Sequence, residues 1–298
     1  LCLAQDQILK SALAFFLAAL LIALPPLAAA PLKIVAAENF YGGVAGQIAG
    51  PGTEVISILN NPNQDPHEFT SSAQTARAVA DADIVIYSGI GYDDWMSKLL
   101  GAPGKPGRVV IDVADLIGAK DGDNPHIWYD PKTMPALGAK LVDILSRANP
   151  PGAASYQKAL DTFRASMQPE LDQIAALKKT TQGMEVTATE PVFGYMAAAL
   201  GCKMLNYDFQ VNVMNDTEPS AAQTAAFEQT LSSHEAKLLF YNSQVTDPAT
   251  DRLRQLATAA GVPIVGVTET EPPDQPDYAG WMRHELAAIQ AALQPKND

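Results

Sequence analysis

Two stretches of this chain repeat a short pattern around histidine. NNPNQDPHEF (residues 60–69) carries His67 and DNPHIW (123–128) carries His126; each sets Asp or Asn, then Pro, then His, with an aromatic residue two positions on. The proline before each histidine restricts the backbone there, which suits a ligand that must be held ready. Two carboxylates stand in comparable places: Glu190 closes EVTATE (185–190) just before Pro191, and Glu269 closes VPIVGVTE (262–269). Two neutral imidazoles and two carboxylates make a donor set for a divalent cation, tetrahedral or slightly expanded, with two negative charges against its two positive ones. Each residue also has a plainer reading. A lone loop histidine is commonly a solvated or hydrogen-bonded surface group, and an acid at a helix entry is favoured by the macrodipole. The four candidates lie 59, 64 and 79 residues apart, so spacing alone makes no motif.

Other chemistry is excluded by pattern. YGGVAG (41–46) lacks the G-x-G-x-x-G order, and no acid follows the next strand to meet a ribose. GAPGKPG (101–107) has Pro106 where a phosphate loop needs Ser or Thr, and reads as a turn. His67-Glu68 does not continue to HExxH, and no G-x-S-x-G elbow occurs. His234 and His284 read as surface residues, Asp216 and Glu218 as capping acids, and Trp128, Phe193 and Tyr195 as packing groups.

The elements that must position the candidates alternate in type. LKIVAAE (32–38), EVISIL (54–59), DIVIYSG (83–89) and RVVIDV (108–113) are near-continuously apolar, as strands of a parallel sheet covered on both faces are. Helices are expected over 71–82, 93–100 and 130–150, the last with Asp130 as its cap and Pro131 in its first turn. The longest helical pattern runs from about 153 to 179 and contains Pro169. The α/β rhythm then restarts, with strands over 185–190, 202–209, 237–242 and 262–269 and helices over 193–200, 218–235, 248–260 and 278–293. The expected fold class is α/β: two similar lobes, each a mostly parallel sheet flanked by helices, bridged by one long helix. The divisions are a leader over 1–30, lobes over 31–150 and 184–298, and the bridge over 151–183. Ligands of such sheets sit at the carboxyl ends of the strands, where a cleft between lobes opens.

Composition narrows the partners. A net charge of −13 without clustered Lys and Arg excludes nucleic acid. The apolar run Ala12–Leu24, ended by Pro25 and Pro26 and followed by small residues, fits a secretory leader cut near residues 28–32, with an uncleaved membrane anchor as the alternative. No cysteine closely follows that run, so a processed lipid-anchored cysteine is not expected. Beyond it only Cys202 remains, so no internal disulfide is expected, and export points to a bacterial-type periplasm.

KIVAAENFYGGVAGQIAG, NPNQDPHEF, ADIVIYSGIGYDDWM, NPHIWYDP, FEQTL, LFYNSQVTDP and GVTETEPP together resemble the zinc/manganese-binding solute-binding proteins of bacterial metal-importing ABC transporters, over essentially all of residues 32–295. The resemblance implies two lobes joined by one rigid helix, with the metal between them. It places the first two ligands on His67 and His126 and the third on Glu190, where zinc-type members carry histidine. The fourth falls in GVTETEPP, on Glu269 in preference to Glu271. The His- and Asp-rich loop of many zinc members is missing. Carboxylate in place of imidazole favours harder ions such as Mn²⁺, while the intrinsic affinity order still favours Zn²⁺, so the transported ion is Zn²⁺ or Mn²⁺. The implied partners are a membrane permease and its cytoplasmic ATPase, and the protein acts as a monomer that captures its cargo without catalysis. The rival readings are a metallohydrolase with an open coordination position and a surface adhesin on the same scaffold.

Overall fold

The computed structural model describes residues 31–61, 66, 69–245, 248–275 and 277–294. The expected leader and His67 lie outside the described residues. No described helix is long and apolar enough to cross a membrane.

The first half of the chain runs β1 (Leu32–Glu38), α1 (Asn39–Ala49), β2 (Thr53–Leu59), α2 (Ala73–Ala80), β3 (Ile84–Tyr87), α3 (Asp94–Leu100), β4 (Val109–Asp112), α4 (Val113–Ile117) and α5 (Thr133–Ala148). Then comes α6 (Ala153–Thr181), 29 residues long. The second half runs β5 (Glu185–Ala188), α7 (Gly194–Ala199), β6 (Lys203–Met204), α8 (Tyr207–Met214), α9 (Ala221–Ser232), β7 (Leu239–Asn242), α10 (Pro248–Ala260), β8 (Ile264–Val267) and α11 (Tyr278–Ala292). The strands form two four-stranded parallel sheets, ordered β2-β1-β3-β4 and β6-β5-β7-β8. The second sheet repeats the first. In each, the chain crosses to the other side after its second strand, so the carboxyl ends of β1 and β3, and of β5 and β7, flank the switch point where such sheets bind ligands. The expected α/β architecture with its long helix is what forms.

Several local expectations shift, each for a visible reason. The strand expected over 202–209 is only Lys203–Met204, because Asn206 takes a left-handed conformation (φ 56°) and opens α8. Asp130 does not cap α5; a short 3-10 turn (Ile127–Tyr129) precedes it, and the Asp130 carboxylate accepts from the Lys132 N–H instead. Ser220 rather than Asp216 or Glu218 caps α9, in a reciprocal box with Gln223. YGGVAG lies within α1, and its Gly42 lets that helix close on β2: a Cβ there would stand 2.0 Å from Ser57 Oγ.

Helix α6 packs on α5 and α1 of the first half and on α11 of the second. The largest buried cluster runs through both halves, from Ile34, Phe40 and Trp128 to Phe193, Met196 and Trp281. Phe40 stacks on Trp128 at 4.8 Å between ring centroids, and Tyr129 meets Phe193 and Trp281 edge-on at 5.0 and 5.6 Å. Tyr129 also donates to Glu285, and Tyr278 donates to the Trp128 carbonyl, so hydrogen bonds cross inside the apolar joint. Trp128 and Phe193 are packing groups, as the sequence suggests.

One buried acid within α6 is exceptional. Glu170, next to Pro169, is 0% exposed, and neither carboxyl oxygen has a hydrogen-bond partner among the described residues. Burial pushes its carboxyl up to about 8 against the pull of Arg283. An unfolded glutamate titrates near 4.3. The folded state therefore retains the proton between those values, and the associated stability, full at acid pH, is lost as pH rises through about 8. Glu170→Gln is expected to stabilise the protein by on the order of 2 kcal/mol at pH 8 and by little at pH 5, less than the full linkage because the amide is itself buried. Thermal melts at the two pH values check this; an equal shift at both would contradict it.

Candidate metal centre

Glu190 and Glu269 lie on segments that leave strands at their carboxyl ends. β5 ends at Ala188 and Glu190 follows in extended conformation (φ −139°, ψ 160°), after which Pro191 starts a 3-10 turn. β8 ends at Val267 and Glu269 follows two residues on. His126 stands beyond β4 and α4, at the head of the turn Ile127–Tyr129. His126 and Glu269 are 0% exposed and Glu190 is 4% exposed. Burial at that level excludes the solvated-histidine reading for His126, and Glu190 makes no side-chain cap bond to the turn it precedes.

His126 Nε2 lies 3.6 Å from Glu269 Oε2. Asn124 fixes the orientation of the ring. Its Oδ1 accepts from the His126 backbone N–H at 3.1 Å and lies 2.7 Å from Nδ1, while its Nδ2 donates to the Pro191 carbonyl at 2.6 Å. With Oδ1 the acceptor, Nδ1 carries the hydrogen, and in the neutral ring Nε2 holds the lone pair. Two acceptor atoms then face one another, an arrangement stabilised by a shared proton or a cation. With metal–donor bonds of about 2.0–2.2 Å, the edge of a tetrahedral site spans about 3.3–3.6 Å, so this pair is spaced as two adjacent ligands would be. Hydrogen bonding of the second ring nitrogen to an amide oxygen is also the usual way a ligating imidazole is held.

Glu190 joins this pair through Asn242, the last residue of β7. The Asn242 Nδ2 group donates to Glu269 Oε1 and, at 3.4 Å, to Glu190 Oε2. Gln244 accepts through Oε1 from the backbone N–H groups of Glu269 and Thr270, which fixes the path of the chain out of β8. From the first half, Tyr92 donates to Glu269 Oε2 at 3.0 Å and meets His126 edge-on at 5.7 Å. The Asn124–Pro191 bond likewise crosses between halves. It needs Gly194, since a Cβ there would stand 2.6 Å from Asn124 Nδ2.

Glu271 lies elsewhere. Its backbone exchanges hydrogen bonds with the Asn39 side chain at the start of α1, and its Oε2 is 3.7 Å from where a Cβ on Gly43 would stand. Burial, and then Asp277, push its carboxyl up to about 7. His234 and His284 are exposed. Among the described residues no group of three His, Cys, Asp or Glu gathers to hold a metal ion. What these residues bring together is His126 with Glu269, and Glu190 with Glu269 through an amide.

Sequence reading missed Tyr92, Asn124 and Gln244. The one available signal was polar residues at strand exits, in SGIGYDD and YNSQ. Two further buried acids lie on the first-half side. Glu38, at the end of β1, has its carboxyl held well above the usual range by burial and by Asp93. Burial pushes the Asp93 carboxyl up to about 7, although it accepts from the Ser88 and Gly89 N–H groups.

Comparison with known proteins adds four relationships. The family model described as zinc-uptake complex component A, periplasmic, matches residues 34–292. The zinc-binding protein AdcA of Streptococcus pyogenes serotype M3 is 24% identical over 269 residues, covering 78% of this chain and 51% of its own length. The chain thus spans about half the length of that relative. The metal ABC transporter substrate-binding lipoprotein SloC of Streptococcus mutans is 23% identical over 265 residues, with 84% of each chain covered. Among solved structures, the periplasmic zinc-binding protein TroA of Treponema pallidum superposes with a TM-score of 0.74 at 18% identity, over 89% of this chain and 99% of its own. At that identity the likeness establishes the fold.

Proposed function

The chain belongs to the zinc-uptake complex component A family, and from that membership we propose that it captures a divalent transition-metal ion, Zn²⁺ or Mn²⁺, and delivers it to the permease of an ABC importer driven by a cytoplasmic ATPase. His67, His126, Glu190 and Glu269 are the ligands in this reading. The observation that carries it is His126 Nε2 standing 3.6 Å from the Glu269 carboxylate in a buried site. The ion is cargo, and four protein ligands leave little room for the open position that a hydrolytic metal needs. The protein acts as a monomer, without nucleic acid.

The lobes in this reading are residues 31–150 and 184–298, bridged by 151–183. The aromatic joint between the halves supports a modest closure on the ion rather than a wide hinge. The acid-rich composition, net charge −13, favours cation approach.

Metal analysis of protein isolated without added metal or chelator tests the reading. About one Zn or Mn per chain is expected, and titration of the stripped protein should restore it. Protein that holds neither ion and takes up neither would overturn it. The site of action is the periplasm, reached through a leader ending near residue 30. N-terminal sequencing of the exported protein should then begin near that residue; a sequence that still contained Ser11 or Phe15 would contradict it.

A further inference from the structure

Asn242 ends β7 and is 1% exposed. The orientation of its amide follows from the backbone: the Gln244 N–H donates to Asn242 Oδ1 at 3.0 Å, so Nδ2 is the end aimed at the acids. That one NH₂ group reaches Glu190, 52 residues earlier in the chain, and Glu269, 27 residues later. It engages Oε2 of Glu190 and Oε1 of Glu269. On Glu269 the other oxygen, Oε2, accepts from Tyr92 at 3.0 Å and is the one beside His126 Nε2.

A carboxylate binds a metal through one oxygen or chelates it through both. Chelation needs both oxygens turned to the ion, and an amide N–H held on one of them opposes that turn. Tetrahedral Zn²⁺ is served by one oxygen from each carboxylate. Mn²⁺ and other hard ions expand their coordination with additional oxygens, often by chelation. We propose that Asn242 is a positioning residue that holds Glu190 and Glu269 to one metal-facing oxygen each, and so favours a four-coordinate cation of the Zn²⁺ type over ions that take five or six oxygen-rich bonds. This selectivity device rests on the ligand assignment given above. It counteracts the bias toward hard ions that a glutamate brings in place of a third histidine.

Asn242→Ala removes the bridge, and Asn242→Leu keeps the approximate volume while removing the donor without adding a charge. Both should be titrated with Zn²⁺ and Mn²⁺ beside the full-length wild-type chain, with Co²⁺ absorption as the report on coordination number. For both variants the Zn²⁺ dissociation constant is expected to rise about 10–100-fold while that for Mn²⁺ moves by less than about threefold, as loss of an outer-shell partner specific to one geometry would do. The intense visible bands of tetrahedral Co²⁺ should weaken toward those of five- or six-coordinate Co²⁺. Equal losses for the two ions with unchanged Co²⁺ bands would reduce Asn242 to a structural role and overturn the proposal, as would unchanged affinities. If Asn242→Ala does not fold, Asn242→Leu decides. Failure of the two levels is distinguishable. A wild-type chain that binds no ion overturns the ligand assignment and this proposal together; loss of binding in Glu269→Ala with both Asn242 variants neutral overturns this proposal alone.

Discussion

Replacing His126, Glu190 or Glu269 with alanine is expected to weaken Zn²⁺ binding by at least about 100-fold, beyond the roughly 10–100-fold that loss of an outer-shell partner costs. His67→Ala should do the same. The apo fold should survive each change, and Glu190→Ala, which leaves Asn242 its bond to Glu269, should leave it as stable or slightly more so. The reason is that two buried carboxylates bridged by one amide repel one another until a cation arrives. Binding and apo stability should therefore move in opposite directions, which general damage to the fold would not produce. His234→Ala and His284→Ala should change nothing, since both residues are exposed. Glu271→Ala should keep binding intact, because that side chain lies against α1 near Gly43. Calorimetric titration of the set provides the measurement. Affinity lost in Glu271→Ala and kept in Glu269→Ala would invert the assignment. Glu190→His should shift preference toward Zn²⁺ over Mn²⁺, as imidazole is softer and removes one negative charge.

Saturating metal is expected to raise the melting temperature by on the order of 10 °C at pH 7.5. A ligand that binds only the folded state at 1,000 times its Kd contributes about 4 kcal/mol, and each kcal/mol shifts a protein of this size by about 2–4 °C. The increment should fade below about pH 5–6, where protons compete with metal for the imidazoles. The apo protein should trend oppositely. The carboxyls of Asp93 and Glu285 are pushed up to about 7 by burial. Their unfolded values are near 4. Between those limits the folded state holds more protons than the unfolded one, so apo stability is full at acid pH and falls as pH rises toward 7. The apo and metal-bound melting curves should thus converge at pH 5 and separate at pH 7.5. Scanning fluorimetry on verified apo protein, with and without Zn²⁺ or Mn²⁺, reads both trends. An unchanged melt in saturating metal at pH 7.5 would count against the site.

The sequence by itself determined the architecture. Apolar runs such as KIVAA and IVIY have no polar face to give to water, so they require a sheet covered on both sides, and the helical periods between them supply the cover. The pattern from 153 to 179 sufficed for the long helix, which forms through Pro169 as Ala153–Thr181. The positions of Glu190 and Glu269 just beyond strand ends were also legible, because where a strand ends is a local property; His126 was legible as a loop residue ahead of a helix. Short-range conformation was less secure where one residue decides it, as Asn206 does in cutting β6 to two residues. Only the tertiary structure decided that Glu269 stands beside His126 while Glu271 lies on α1, that Asn124 sets the imidazole tautomer, and that Tyr92 and Asn242 hold the carboxylate. The physical reason is range. Periodicity is enforced between residues three or four apart, whereas the Tyr92–Glu269 bond joins residues 177 apart, brought together by the packing of two sheets and one long helix.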